Sequence, residues 1–263
     1  MDINNAQRFR ERLLAGETLI GMGVTFADPA ICELIAEAGY DFTWIDIEHG
    51  AIGIETALQM VTAHRGTGAA PFIRVQWNDV NVIKPVADLA PAGIIVPQVN
   101  DAAAAEAAVK ACRYPPRGVR GYGPRRGTGY GAMTQPDYLA EKGDEPIVAI
   151  QIEHRDAVAN LDEMLEVPGL DIYCLGLNDL SGSFGKLGQH QDPEVVEAVE
   201  TVAAKVGRSG RVLGISTFYS PETYARWMSL VVRWLNLNVD FSNLFRAGRE
   251  VSEAARGQTP NRR

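Results

Sequence analysis

Residues 146–179 read PIVAIQIEHRDAVANLDEMLEVPGLDIYCLGLND. The stretch is an apolar run, a helix-like segment and a second apolar run, and each run ends in polar residues. Short apolar, β-branched runs bounded in this way read as buried strands, so the unit is a strand, a helix and a second strand. Similar runs recur about every 30 residues, at 18–25, 42–47, 71–75, 93–97, 212–216 and 233–237, which with 146–152 and 171–176 makes eight. Asp28-Pro29, Asp192-Pro193 and Ser220-Pro221 supply an N-cap followed by a proline at the first helical position. Gly39 and Gly207 stand where a left-handed residue would end a helix. This alternation, without a linker-like break, predicts an α/β chain with a single (β/α)8 TIM barrel over 1–255 and a disordered tail over 256–263. An open doubly wound sheet is the alternative, because periodicity does not show closure. Gly21 and Gly23 share one strand face, as do Gly214 and Ser216, and small residues on one face suit a crowded barrel interior.

The chain has 263 residues, 46% hydrophobic and 22% charged, which excludes collagen-like, disordered and disulfide-scaffold classes. Lys and Arg number 25 against 33 Asp and Glu, and a net charge of −8 disfavours nucleic acid as a partner. No apolar run approaches the ~20 residues of a membrane span. The opening MDINNAQRFRERLLAG reads as an amphipathic helix rather than a secretory leader. Cys32, Cys112 and Cys174 are odd in number and far apart, which predicts free thiols in a cytoplasmic protein. Residues 114–135 are too rich in Gly, Pro and Arg for an ordinary connection and read as a functional or mobile loop.

In a barrel the reactive groups sit at the C-terminal strand ends. There the sequence offers Asp46, Glu48 and His49, then Arg74, then Gln151 and Glu153, then Asn178 and Asp179, and finally Asn236 and Asn238. Alternation turns Ala149, Gln151 and Glu153 to one face, so Glu153 points inward. Asp179 leaves the neighbouring strand, and two such carboxylates suit a hard cation such as Mg²⁺ or Mn²⁺. The competing reading makes Asp179 or Asn178 a helix cap and pairs Glu153 with Arg155. His49 follows a strand among acidic neighbours, as a general base would, or as a loop histidine bonded to a carboxylate would. His64 and His190 read as surface residues, and His154 is turned away from Glu153. Arg74 ends an apolar strand and needs either an ion pair or an anionic substrate. None of the five lysines lies in a predicted strand, which disfavours imine chemistry. GYGPRR and GTGYG neither follow a strand nor open a helix, so they are not phosphate loops.

WIDIEHG (44–50), PFIRV (71–75), GIIVPQV (93–99), YPPRGVRGYG (114–123), QIE (151–153) and GLNDLS (176–181) stand in this order. Together they resemble the class II, metal-dependent pyruvate aldolases, the family of 4-hydroxy-2-oxoheptanedioate aldolase and 2-dehydro-3-deoxyglucarate aldolase. The resemblance runs from about residue 18 to 240. It implies Glu153 and Asp179 as ligands of Mg²⁺, Mn²⁺ or Co²⁺, Arg74 and Gln151 as holders of the 2-oxo acid oxygens, and His49 as acid/base. It also implies Asp46 and Asp88 as acidic supports of that histidine. Asp88 precedes the fourth strand, at the far barrel end, and would act across a subunit interface. A hexamer built from dimers that exchange a C-terminal helix is implied too. Leu177 replaces a usual proline, and Ala90-Pro91-Ala92 replaces a Gly-Ala-type turn.

The reaction so implied is reversible cleavage of 4-hydroxy-2-oxo acids to pyruvate, or a related 2-oxo acid such as hydroxypyruvate, plus an aldehyde. His49 moves the C3 proton, Arg74 meets oxyanion charge, and backbone N–H groups near Asn178 and Asp179 hold the carboxylate. Aldehyde specificity is expected from loops including 114–135. Two other readings stand beside this one. A citrate-lyase-β-like acyl-CoA lyase would use the arginines of 113–126 for a CoA tail, and a degenerate barrel would bind carboxylates without catalysis.

Overall fold

A computed structural model describes residues 3–257. Eight parallel strands close into a barrel in chain order: β1 (Leu19–Val24), β2 (Phe42–Asp46), β3 (Ala70–Arg74), β4 (Gly93–Val96), β5 (Ile147–Ile152), β6 (Ile172–Leu175), β7 (Val212–Thr217) and β8 (Trp234–Val239). The open sheet is thereby excluded, because β1 pairs with β8 as well as with β2. Helix α1 (Ala6–Leu14) precedes the barrel, and α2 (Pro29–Glu37), α3 (Ile54–Ala63), α4 (Val80–Asp88) and α5 (Ala102–Cys112) follow the first four strands. Helix α6 (Gln135–Lys142) leads into β5. Then α7 (Arg155–Ala159), α8 (Leu161–Leu165), α9 (Leu177–Ser183), α10 (Pro193–Ser209), α11 (Pro221–Ser229) and α12 (Asp240–Gly257) complete the outer ring.

Strand alternation separates two apolar cores. Inward residues Leu19, Phe42, Trp44, Phe72, Ile95, Ile172, Cys174 and Trp234 fill the barrel. Outward residues such as Val24, Ile45, Ile73, Val148, Leu175 and Leu235 pack against the helices. The inner filling explains the glycines on β1 and β7. A Cβ at Gly21 would run into the Phe42 ring, and one at Gly214 would lie 2.7 Å from Trp234 Cε3. Phe9 of α1 closes the N-terminal end, its ring 5.8 Å from Phe42 and 5.0 Å from Phe72.

Asp28, Asp192 and Ser220 cap α2, α10 and α11 as their sequence implies. Gly39 is left-handed after α2, but α10 runs past Gly207 and ends on left-handed Gly210. Arg256 and Gly257 close α12, so the tail boundary at 256 falls inside that helix. The rest of that tail, 258–263, lies outside the described residues. Among the described residues no helix is long and apolar enough to cross a membrane.

Segment 114–135 is an ordered structure at the N-terminal barrel end, opposite the mouth. Arg120 is fully buried, forms an ion pair with Asp88 at 2.7 Å and lies 4.6 Å from the Tyr114 ring centroid. Buried Arg126 donates to the carbonyls of Ile3, Leu89 and Ala90. Arg113 donates to Pro146 O at 3.0 Å. These three arginines bind the segment to its own barrel, which leaves only Arg117, paired with Asp144, and Arg125 at the surface of the stretch expected to hold a CoA tail, and the segment cannot line its own protomer's mouth.

Candidate active site

The polar residues at the strand exits form one hydrogen-bonded array across the mouth. Arg74, at the end of β3, donates to Asp46 of β2 through Nε at 3.1 Å and Nη2 at 2.5 Å. Its Nη1 reaches Gln151 Oε1 at 3.3 Å and lies 3.0 Å from Glu48 Oε2. Gln151 Nε2 in turn donates to Glu153 Oε2 at 2.8 Å, and the backbone N–H of Gln98, after β4, donates to Glu153 Oε1 at 2.7 Å. A guanidinium anchored on Asp46 and Gln151 in this way is fixed in direction and, of its five N–H donors, keeps two for a carboxylate or an oxyanion.

The array is rich in negative charge. Glu153 is 2% exposed, and burial pushes its pKa up to about 7. The Gln98 N–H opposes that rise, while Asp179 and Glu48 add to it. Burial likewise raises Glu48, against the pull of Arg74 and His49 and with a push from Asp46 and Asp179. Glu48 Oε2 is buried without a hydrogen bond of good angle, its 3.0 Å approach to Arg74 notwithstanding. Glu48 belongs to the site although only Asp46 and His49 of its segment are singled out for roles above. The signal was its parity, since positions 46 and 48 share a strand face.

Gly176 completes the array. A Cβ there would stand 2.6 Å from Glu153 Oε2, so the strand exit needs a residue without a side chain for the carboxylate to occupy its place. Asp179 follows in the first turn of α9, exposed, and no side chain caps that turn. Capping therefore does not account for Asp179 or Asn178. Asn178 Oδ1 pairs with His190 Nε2 at 2.9 Å, which draws His190 toward this exit. Among the described residues no ion pair joins Glu153 to Arg155; the Glu153 carboxylate accepts from Gln151 Nε2 and the Gln98 N–H instead.

His49 sits on the rim with its side chain 68% exposed, and its Nε2 is 3.8 Å from Glu48 Oε2. Asp46 accepts the backbone N–H groups of Glu48 and His49, so it fixes the turn that carries His49 without bonding the imidazole. Asp88 is not brought to the mouth, because it ends α4 at the other end of the barrel, on Arg120. His154 caps α7 through Asp156 N–H, away from Glu153. His64 corrects its assignment to the surface. It is fully buried between Thr43 Oγ1 and Met60 O, each at 2.8 Å, and burial lowers its pKa to about 4.

Among the described residues, no three His, Cys, Asp or Glu side chains are grouped as a metal cage. Two carboxylates suffice for a cation that keeps waters and substrate oxygens as its other ligands.

This geometry has close relatives. The chain is 34% identical over 254 residues to the hydroxypyruvate/pyruvate aldolase of Pseudomonas aeruginosa, covering 96% of this chain and 94% of that protein. It is also 34% identical over 244 residues to the 4-hydroxy-2-oxo-heptane-1,7-dioate aldolase of Escherichia coli, covering 93% of each. The crystal structure of an HpcH/HpaI aldolase from Desulfitobacterium hafniense superimposes with a TM-score of 0.89 at 27% identity, over 96% of this chain and 97% of that one. A family model described as HpcH/HpaI aldolase/citrate lyase matches residues 19–233, a span that holds every residue of the hydrogen-bonded array. With a family model matched over most of the chain, near full-length likeness to two aldolases and a barrel that superimposes on a solved member, the chain belongs to the HpcH/HpaI aldolase/citrate lyase family.

Proposed function

We propose that the protein is a divalent-metal-dependent aldolase, a carbon–carbon lyase that reversibly cleaves 4-hydroxy-2-oxo acids to a short 2-oxo acid and an aldehyde. The observation that carries this reading is the array Asp46–Arg74–Gln151–Glu153, which sets a fixed cation beside buried, mutually repelling carboxylates at the barrel mouth. The names of the relatives support the substrate class.

The donor set fits Mg²⁺, Mn²⁺ or Co²⁺. Glu153 and Asp179 would hold the ion, and the charge that Glu153, Glu48 and Asp179 impose on one another is what a bound cation would neutralise. When bound, the ion supplies Lewis-acid polarisation of the substrate's carboxylate and ketone oxygens. Gln151 and the Gln98 N–H orient Glu153 for that task, as hydrogen-bonded carboxylate ligands require.

The remaining chemistry belongs to the chain. His49 takes the proton of the C4 hydroxyl, the C3–C4 bond breaks, and its electron pair moves to the C2 oxygen as an enolate while the aldehyde leaves. Arg74 faces the enolate oxygen. His49 then returns the proton to C3, and synthesis runs the same steps backwards.

Helix α12 buries only Asp240 against its own barrel and exposes Phe241, Leu244, Phe245 and Val251. An apolar helix face of this kind belongs against protein, and a second copy of the chain is its occupant in this reading. Asp88 and segment 114–135 could then meet a mouth only as a second copy's residues. We place the protein in a reducing cytoplasm, which suits its three buried free thiols.

The test is release of pyruvate from a 4-hydroxy-2-oxo acid by the Mn²⁺-loaded protein. Glu153→Gln should abolish it, and undiminished release by that variant would refute the assignment.

A further inference from the structure

The inner wall of the mouth has two unlike halves. Strands β2, β3 and β5 present Asp46, Arg74, Gln151 and Glu153 in the charged array. Strands β7, β8 and β1 present Ser216, Asn236 and Gly23. Alternation fixes their direction: Trp234 belongs to the inner core, while Leu235 and Leu237 belong to the outer one, so Asn236 faces inward one step nearer the mouth. Ile215 is outward in the same way, which turns Ser216 inward. Met22 and Val24 are outward, so Gly23 is inward and adds no side chain at this level.

Ser216 and Asn236 are register partners on adjacent strands, and Asn236 Nδ2 donates to Ser216 Oγ at 2.9 Å. Leu175 pairs with Ile215, which sets Gly176 level with Ser216 on the next strand. Gly176 is the residue whose missing side chain makes room for Glu153 Oε2. Ser216 therefore stands on the strand next to the Gly176 cradle of the proposed metal ligand, and Asn236 one strand further round the mouth.

Asn236 is 2% exposed, and its Oδ1 has no hydrogen-bond partner among the described residues. A buried unmet amide oxygen forfeits its hydration with no return, so it calls for a partner. Asn238, two residues on, shows the contrast. Its Oδ1 accepts the Tyr219 N–H and its Nδ2 donates to Asn243 Oδ1, which leaves it spent. The Ser216 hydroxyl accepts from Asn236 and keeps its own proton to give. The pair thus offers one acceptor and one donor side by side. If the amide is turned over, it offers one donor and the same hydroxyl, and a hydroxyl ligand matches either arrangement.

On the aldolase reading, a 2-oxo acid held through its carboxylate and ketone on the charged wall has only C3 left to face the neutral wall. We infer that Asn236 and Ser216 bind a hydroxyl on C3 of the donor, so that 3-hydroxy-2-oxo acids are preferred over pyruvate. Hydroxypyruvate is the smallest member of this class. Its hydroxyl donates to Asn236 Oδ1 and accepts from Ser216 Oγ, whereas the methyl of pyruvate leaves the amide oxygen unmet. The two residues are positioning residues for the donor and take no proton. Because the hydroxyl contact exists before and during bond making, its loss falls on KM more than on kcat.

The experiment follows C3 proton exchange in D₂O by NMR with the Mn²⁺-free, Mg²⁺-loaded enzyme, using hydroxypyruvate and pyruvate separately. In the unmodified protein kcat/KM should favour hydroxypyruvate at least tenfold. Asn236→Ala and Ser216→Ala should each lower the hydroxypyruvate-to-pyruvate ratio about tenfold or more, mainly through the KM for hydroxypyruvate, the size expected when a site built for a hydroxyl loses its partner. Ser216→Thr, which keeps the hydroxyl, should restore the ratio. Should one variant fail to fold, the other still reads the same ratio. Equal losses for both donors, or a ratio unchanged in both variants, overturn the inference and leave the aldolase reading intact. Exchange of neither donor by the unmodified protein refutes the aldolase reading, and the inference falls with it.

Discussion

Replacing Gly176 by alanine perturbs the proposed metal ligand without altering any polar group. The new Cβ would stand 2.6 Å from Glu153 Oε2, 2.7 Å from Glu153 Cβ and 3.3 Å from Gln151 Nε2. Ordinary carbon contacts lie at about 3.5–4.0 Å, so the shortfall is roughly 0.8–1.4 Å. The carboxylate could swing, but the Glu153 Cβ is tied to its backbone, and β5 or β6 must part to admit the methyl. Overpacking of this kind costs about 1–3 kcal/mol of stability. A binding constellation tolerates displacements of only about 0.5 Å, and loss of a ligand's hydrogen-bonded support typically weakens metal affinity by about 10–100-fold. Calorimetric titration with Mn²⁺ should therefore show affinity reduced by at least tenfold in Gly176→Ala, and urea denaturation in chelator should show the stability loss separately. Gly207→Ala is the control, because a Cβ at that helical position meets nothing within 4 Å. Mn²⁺ affinity in Gly176→Ala within twofold of the unmodified protein would refute the assignment of Glu153 as a ligand held by this cradle.

Three further outcomes are expected. Arg74→Lys keeps the charge but loses the fork on Asp46 and the reach to Gln151, and donor exchange should fall by about 10²–10³-fold, as for loss of an oxyanion donor; a loss under fivefold contradicts it. His64 is buried with its pKa lowered to about 4 against a reference of 6.5. Between those values the unfolded chain binds more protons, so stability should fall by up to about 3 kcal/mol as pH drops from 6.5 to 4. Urea midpoints at pH 7 and pH 5 should show a smaller drop for His64→Gln, and an equal drop in both proteins counts against the linkage. Leu244→Glu with Phe245→Glu, on the exposed face of α12, should reduce the assembly seen by sedimentation velocity; an unchanged mass says that this face does not join copies.

The strands were legible to within two residues because most are short apolar runs cut off by polar residues, and burial on both faces is what a barrel strand needs. The exits were legible for the same reason: Glu153 and Arg74 are charges stranded at the ends of apolar runs. Tertiary pairing was not legible. Nothing around Asp88 announces Arg120, 32 residues on, and nothing around His64 announces that Thr43 of β2 would receive it in the outer core. Segment 114–135 drew attention by composition, but its position follows from connectivity. It leads from a helix into a strand, and such connections lie at the N-terminal end of a barrel, away from the chemistry. The unmet oxygen of Asn236 could not be read from alternation alone, because its neighbour Asn238 has the same parity and is fully bonded.

The central claim is that the mouth of this barrel removes a proton from C3 of a 2-oxo acid with the aid of a divalent cation held by Glu153 and Asp179. NMR of pyruvate or hydroxypyruvate in D₂O measures that step directly, without an aldehyde. Exchange at C3 should appear on adding Mg²⁺ or Mn²⁺ to the metal-stripped protein, stop with chelator, and be lost in Glu153→Gln and Asp179→Asn. Exchange that persists at full rate after complete metal removal, or in both variants, would contradict it.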